Sequence, residues 1–292
     1  MRLHLIDGTY ELFRAHFSKR PPHAAPDGQD LKGTVGLASS LLSLLRNRKE
    51  AVTHIAVAFD NPIRCFRNDL FDGYKTEEGV PPELLAQFDC AEEAVAALGI
   101  VVWSMDLYEA DDAMATAAAR WRAVVKQVRI MSPDKDMGQC IRGRRVVQVD
   151  RRRETMLDRE GLIALRGIRP ESIPDFLALV GDAADGIPGI PGFGERTASA
   201  LLAKYRHLEA IPQNHARWPA AIHGAPRLAA MLVKMREEAK LYRKLATLEE
   251  AVPLKETLEG LRWRGVPRAK FEAWCDRLDV GALRTRPTRW AD

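Results

Sequence analysis

Long apolar runs are missing from this chain of 292 residues. None approaches the roughly 18 uninterrupted apolar residues that a bilayer-crossing helix needs. The start, Met1-Arg2-Leu3-His4-Leu5-Ile6-Asp7, meets an acid too soon for a signal peptide. No membrane is therefore expected as a partner, and the expected location is cytoplasmic. Cysteine is scarce: Cys65, Cys90, Cys140 and Cys275 are scattered with no CxxC pair. That spacing excludes a disulfide framework and a cysteine zinc site. Repeats of solenoid length are absent as well. The charge is nearly balanced, 44 basic against 40 acidic residues, too little excess to point to a polyanion by itself. With 46% apolar and 29% charged residues, the composition is that of an ordinary globular chain.

What is present is alternation. Leu3 to Ile6 reads as a strand closed by Asp7, followed by helical apolar spacing from Tyr10 to Phe17. Leu31 to Arg46 is an amphipathic helix, and Ile55 to Phe59 is a buried-type strand ending in Asp60. Pro81-Pro82-Glu83 opens a helix running to Leu98, and Ile100 to Trp103 is the next strand. Glu109-Ala110-Asp111-Asp112 starts an alanine-rich helix to about Val125. Val128 to Met131 is again a strand followed by acids, and Val146 to Val149 is the last. Such alternation predicts an α/β domain with a mostly parallel sheet, whose ligands gather at the carboxyl ends of the strands. From Pro170 strands vanish, and helices at Pro174–Val180, Glu195–Tyr205 and Pro226–Leu248 surround a glycine-proline hairpin. The expected division is 1–170, 171–255 and a tail, 256–292, of unassigned packing.

The strand ends and helix starts carry nine carboxylates: Asp7; Asp60; Glu109, Asp111 and Asp112; Asp134 and Asp136; Asp182 and Asp185. If they converge, their repulsion calls for hard divalent cations with oxygen ligands, which suits Mg²⁺. Paired ions of that kind are the standard clamp for phosphodiester hydrolysis. Taken singly, Glu109, Asp111 and Asp112 also suit a helix N-terminus, and Asp134 to Asp136 a turn. Setting the nine acids aside leaves 31 against 44 basic residues, and a polyanionic partner becomes natural. Basic residues cluster at Arg142–Arg145 and Arg151–Arg153; a solvated charged face is the other reading of these. The hairpin Gly186-Ile187-Pro188-Gly189-Ile190-Pro191-Gly192-Phe193-Gly194-Glu195-Arg196-Thr197 lets backbone N–H groups approach a phosphate at a helix N-terminus. The same glycines also fit a plain tight turn.

Several segments match one pattern in order. They are Leu5-Ile6-Asp7-Gly8 with Leu12-Phe13-Arg14-Ala15, Val57-Ala58-Phe59-Asp60, and Phe66-Arg67 with Tyr74-Lys75. Tyr108-Glu109-Ala110-Asp111-Asp112, Ser132-Pro133-Asp134-Lys135-Asp136 and Gly181-Asp182-Ala183-Ala184-Asp185-Gly186-Ile187-Pro188-Gly189 complete the set. Over about residues 3 to 250 the chain resembles the 5'-3' exonuclease and flap endonuclease family, including the 5'-nuclease domain of bacterial type I DNA polymerases. No polymerase segment follows, so the resemblance is to a free-standing member.

The resemblance implies a PIN-like nuclease domain with a helical arch, then an α-helical helix-three-turn-helix (helix-hairpin-helix) DNA-binding domain. It implies a monomer that binds DNA with a 5' single-stranded end or flap joined to duplex and hydrolyses it with two or more Mg²⁺ or Mn²⁺ ions. All nine acids fall on the family's metal ligands. Lys75 and Arg67 fall in its catalytic centre, and Arg14, Arg64, Gly189, Gly192, Gly194, Arg196 and Thr197 on its DNA contacts. The hairpin carbonyls of Gly189 to Gly194 correspond to a K⁺ site. Two departures stand out: Glu78 occupies the place of an arch arginine, and Ala184 and Gly186 replace a commoner serine and asparagine.

A haloacid-dehalogenase phosphatase would share Asp7-Gly8-Thr9 but needs a nucleophilic aspartate where Leu5 stands. A PIN-type ribonuclease leaves the hairpin unexplained. A flap- or junction-binding protein with weak catalysis is the alternative that Glu78 supports.

Overall fold

The computed structural model describes residues 1–291. The chain divides into two compact units. Unit 1 comprises 1–64, 77–132 and 250–292, and unit 2 comprises 65–76 and 133–249. Compactness thus divides the chain along a discontinuous path, differently from the change of texture near residue 170.

Unit 1 is built on β1 (Arg2–Asp7), α1 (Gly8–His16), α2 (Lys32–Arg46), β2 (His54–Asp60), α3 (Pro82–Leu85), α4 (Phe88–Ala97), β3 (Val101–Met105), α5 (Ala110–Trp121) and β4 (Gln127–Met131). The strands lie side by side as β3-β2-β1-β4 and all are parallel. Every residue of β2 is buried, which requires cover on both faces and explains the unbroken apolar run Ile55–Phe59. α5 packs across β1, β2, β3 and β4, while α1, α2 and α4 pack on one another.

The helix expected over Pro81–Leu98 is broken. α3 stops at Leu85 and α4 starts at Phe88, and between them Gln87 is fully buried. Its Oε1 accepts from the N–H groups of Gly33 (2.9 Å) and Thr34 (3.1 Å), and its Nε2 donates to the Glu83 carbonyl. Helix α2 has no side-chain cap of its own, so Gln87 satisfies two of its orphan N–H groups. The helical arch expected here is correspondingly reduced: residues 74–87 contain only the four-residue α3. α5 also ends earlier than expected, at Trp121.

The tail packs on unit 1. Trp263 donates its backbone N–H to the Thr53 carbonyl and its indole N–H to the Leu98 carbonyl, both at 3.0 Å. Trp103 donates to Glu256 at 2.9 Å, and a C-terminal helix, Arg268–Arg277, buries Phe271, Trp274 and Cys275. Among the described residues no helix is long and apolar enough to cross a membrane.

Unit 2 holds an antiparallel pair, β5 (Val146–Asp150) with β6 (Thr155–Leu157). β6 is an addition to the strands legible in sequence. The helices are α6 (Arg159–Arg166), α7 (Ile173–Val180), α8 (Glu195–Tyr205), α9 (Ala225–Lys234) and α10 (Arg236–Ala246). The single helix expected over Pro226–Leu248 breaks at Met235, whose backbone leaves the helical region at φ −106°, ψ 32°. Buried Leu228, Leu232, Ala239 and Tyr242 keep one apolar phase through the break, so periodicity gives no sign of it.

At the amino end of β1, His4 is fully buried and its Nε2 lies 3.2 Å from Glu50 Oε2, which also accepts from Arg129 at 2.6 Å. Burial lowers the His4 pKa and keeps the ring neutral, while the His4 hydrogen bond, then Arg129, draws Glu50 down to about 2. A carboxyl depressed on folding stabilises above its ordinary value and loses that contribution as pH falls. His4, lowered likewise, takes up its proton on unfolding and acts in the same direction. Stability is expected to fall from about pH 6.5 downward, and Glu50→Gln to flatten the part of that fall below pH 5. Urea midpoints across pH 3–8 check this; an unchanged acid limb in the variant counts against it.

Candidate active site

Because β1 and β2 are parallel, their carboxyl ends fall on one edge of the sheet. Asp7 pairs with Ala58, and Asp60 lies two residues beyond Ala58, so the two aspartates project from the same face. Asp7 Oδ1 accepts from the Tyr10 N–H at 2.8 Å, capping α1, and Oδ2 accepts from Ser132 Oγ at 2.9 Å. Asp60 Oδ1 accepts from the Ala110 N–H at 2.7 Å, which brings the N-terminus of α5 to the same edge. Asp60 also gives its own N–H to Thr9 Oγ1 at 2.9 Å. Glu109 and Asp112 form a capping box at the start of α5, the Glu109 N–H donating to Asp112 Oδ2 at 3.0 Å. Asp7, Asp60, Glu109 and Asp112 are all buried, and Asp111 is partly exposed. Four buried carboxylates are costly unless partnered. Donors from helix starts and hydroxyls meet part of that cost, and the positive ends of α1 and α5 add to it.

Ser132 and Thr9 were not singled out from sequence. Both sit two residues from an acid, Thr9 after Asp7 and Ser132, just past β4, before Asp134. A hydroxyl so placed is the available signal.

Unit 2 carries the other four acids. Asp134 is exposed, and its carbonyl accepts from Gln148 Nε2 at 2.6 Å. Asp136, buried, starts a short 3-10 turn. Asp182 and Ile187 exchange two backbone hydrogen bonds of 2.8 Å, closing a tight loop in which Asp182 Oδ1 accepts from the Ala184 N–H. Asp185 pairs with Lys75, Nζ to Oδ1 3.2 Å, and its carbonyl accepts the Lys75 N–H at 3.1 Å. That closeness explains Gly186: its φ is +73°, and a Cβ there would stand 2.0 Å from the Gly73 carbonyl oxygen. The 73–75 segment leaves no room for the commoner asparagine.

The donors in both units are carboxylates without histidine or cysteine, a chemistry that suits hard divalent cations. Among the described residues no three such side chains are gathered into a ready-made cage; N–H and O–H donors hold several of them singly.

Arg67 lies inside unit 2. Its side chain is fully buried, Nε donates to the Leu245 carbonyl at 2.8 Å and Nη2 to the Thr247 carbonyl at 2.9 Å. The guanidinium ties the 65–76 segment to the end of α10 and has no exposed face for a substrate. Arg14 pairs with buried Glu11 and donates to Ser40 Oγ at 3.0 Å, while Arg64 and Arg196 are exposed and Thr197 partly so. In the hairpin, Gly189 needs its φ of +72°, since a Cβ would meet Gly181 N at 2.4 Å. Gly192, at φ +90°, would crowd Leu228, whereas Gly194, the residue before α8, has ordinary backbone and nothing within 4 Å of a built Cβ. An open cleft of 550 Å³ lies beside it, lined by Lys135, Asp182, Gly186, Phe193, Gly194 and Glu195 among others.

Arg67→Ala leaves the buried Leu245 carbonyl and the Thr247 carbonyl without their charged donor and is expected to cost about 2–4 kcal/mol of stability. Arg67→Lys should recover part of it. Thermal unfolding of both variants checks this, and a variant as stable as the parent but slow in catalysis would return Arg67 to the site.

Two family models match, the 5'-3' exonuclease N-terminal resolvase-like domain over residues 2–166 and the 5'-3' exonuclease C-terminal SAM fold over residues 168–269. The 5'-3' exonuclease of Aquifex aeolicus is 29% identical over 282 residues, 96% of this chain and 93% of that protein. DNA polymerase I of Mycobacterium leprae is 33% identical over 290 residues, 97% of this chain. The chain spans 26 to 31% of the length of the curated polymerase relatives it matches. Among solved structures, T5 5'-exonuclease with bound zinc ions shares the fold at a TM-score of 0.66 and 17% identity, over 84% of this chain and 89% of that one. With both domains matched in order by models covering nearly the whole chain, the protein belongs to the 5'-3' exonuclease family of hydrolytic nucleases.

Proposed function

We propose that this chain cleaves DNA carrying a 5' single-stranded end or flap joined to duplex, as a monomer in the cytoplasm, using two or more Mg²⁺ or Mn²⁺ ions. The observation that carries the reading is the row of buried acids at the carboxyl edge of unit 1, each oriented by a backbone or hydroxyl donor. A fold does not bury Asp7, Asp60, Glu109 and Asp112 for packing alone. With Asp111 they are the ligands proposed on unit 1, and Asp134, Asp136, Asp182 and Asp185 those on unit 2. When bound, divalent ions activate water and neutralise the charge developing on the phosphodiester.

The chain's own groups have separate tasks. Ser132 and the N–H of Tyr10 fix the rotamer of Asp7, and the N–H of Ala110 fixes Asp60. Lys75 steadies Asp185 and supplies the positive charge proposed to face the substrate phosphate. The start of α8 after Gly194, with Arg196 and Thr197, offers N–H groups and side chains to duplex phosphates, and K⁺ is proposed at the Gly189–Gly194 carbonyls. Arg14 and Arg64 are the proposed backbone contacts of the flap. Glu78, exposed in the shortened arch segment, is the feature favouring a second reading, a junction-binding protein with weak catalysis.

In chelator or Ca²⁺ the protein is expected to hold a flapped duplex uncut, with Mg²⁺ restoring release of 5'-phosphorylated products. Undiminished cleavage in chelator overturns the metal reading, and binding without cleavage in Mg²⁺ selects the second one. Asp136→Asn should lower turnover by orders of magnitude with binding retained. Lys75→Ala should slow single-turnover cleavage roughly 10- to 1000-fold, and Glu78→Arg should speed it or tighten binding at low salt.

Gly194→Val meets no neighbour in the fold, so it is expected to leave the unfolding temperature unchanged while weakening duplex binding. Anisotropy with duplex and with short single strands separates the effects. Equal losses on both would mean that the hairpin does not read duplex backbone.

A further inference from the structure

Unit 1 carries a basic feature that the carboxylate edge does not use. Ser39, Ser43 and Arg46 follow at intervals of four and three along α2 and therefore share one face. Arg286, from the C-terminal segment, lies along this stripe. It donates to Ser39 Oγ, to the Ser39 carbonyl at 3.2 Å and to Ser43 Oγ at 3.0 Å. Arg20 donates to the same Ser39 hydroxyl at 3.3 Å. The contacts of Arg286 and Arg20 are with neutral oxygens. Burial, and after it the like charges of Arg46 and Arg20, pull the Arg286 guanidinium below the usual range. Three like charges gathered around two hydroxyls repel one another unless an anion joins them.

An open groove of 820 Å³ continues the stripe, lined by Ser43, Arg46, Arg48, Trp263, Thr288 and Arg289 among others. Arg46, Arg48, Thr288 and Arg289 are exposed. Trp263 is buried, its indole N–H is taken by the Leu98 carbonyl, and Arg289 stands 5.7 Å from its ring centre. No free aromatic face is offered to a base, and the groove presents guanidinium and hydroxyl groups beside Leu45, Ala51 and Val52. Its position is equally informative. Trp263 is hydrogen-bonded to Thr53, the residue before β2, whereas Asp60 closes the other end of that strand. At about 3.3 Å per residue the two edges of β2 stand ~20 Å apart.

We propose that the Arg20, Arg46 and Arg286 cluster and its adjoining groove bind the phosphate backbone of DNA at a second site, remote from the carboxylates and without reading bases. Guanidinium and hydroxyl donors suit phosphate oxygens, and no aromatic face is free to stack a base. The inference rests on the DNA-binding part of the proposed function and not on cleavage. A duplex arm shorter than ~20 Å, about six base pairs, falls short of the groove.

The test compares 5'-flapped duplexes with arms of about 5 and about 20 base pairs, binding read by fluorescence anisotropy in Ca²⁺ over a salt series. For Arg46→Gln/Arg286→Gln the dissociation constant is expected to rise roughly 10- to 100-fold on the long arm, with the salt slope shallower by about 2. The short arm should bind as before and be cut at the parental single-turnover rate in Mg²⁺. Arg46→Gln/Arg48→Gln, both at exposed positions, gives the same pattern should the first pair unfold the tail. Unchanged long-arm binding with parental cleavage intact overturns the groove alone. Equal losses on both arms and on heparin overturn it in favour of a general basic surface. A parental protein that neither binds nor cuts flapped DNA overturns both proposals.

Discussion

The parallel pairing of β1 with β2 is the constraint on which unit 1 depends. It places two strand ends, and hence Asp7 and Asp60, on one edge and one face, where both are largely buried. Once buried, each acid must find donors. Asp60 recruits the first N–H of α5, Asp7 the Tyr10 N–H in the first turn of α1, and Ser132 closes the second oxygen of Asp7. The helices therefore start where the acids need them. The cap that begins a helix and the orientation of a functional carboxylate are one and the same hydrogen bond.

Much of this was legible in sequence because each strand of unit 1 combines an apolar run with a punctuating residue. β1 and β2 end in acids, β3 follows a glycine, and β4 precedes Ser132-Pro133. The donors were less legible. Gln87 satisfies a helix more than fifty positions earlier in the chain, and no local pattern marks a long-range cap. The break at Met235 left no trace because the apolar phase of α9 and α10 continues across it. The partners of Arg67 were illegible for a related reason: the carbonyls of Leu245 and Thr247 lie about 180 positions onward.

Substitutions at family positions acquire physical reasons in this setting. Gly186 stands where asparagine is commoner because the 73–75 segment comes within bonding distance of the Asp185 carbonyl. The lysine that this segment carries and the loop that carries Asp185 are thereby fitted to each other, and neither changes without the other. The same segment is anchored at its other end by Arg67, so Lys75 is held between a buried guanidinium and a glycine that admits no side chain.

The discontinuity of the two units carries a consequence for synthesis. The chain leaves unit 1 after residue 64, returns at 77, leaves again after 132 and returns at 250. Trp263 closes over Thr53 and Leu98, and Glu256 over Trp103, only when the last forty or so residues have emerged. Until then the flank of the sheet at Thr53, Leu98 and Trp103 lacks its final cover, so the first strands complete their packing only with the last segment made.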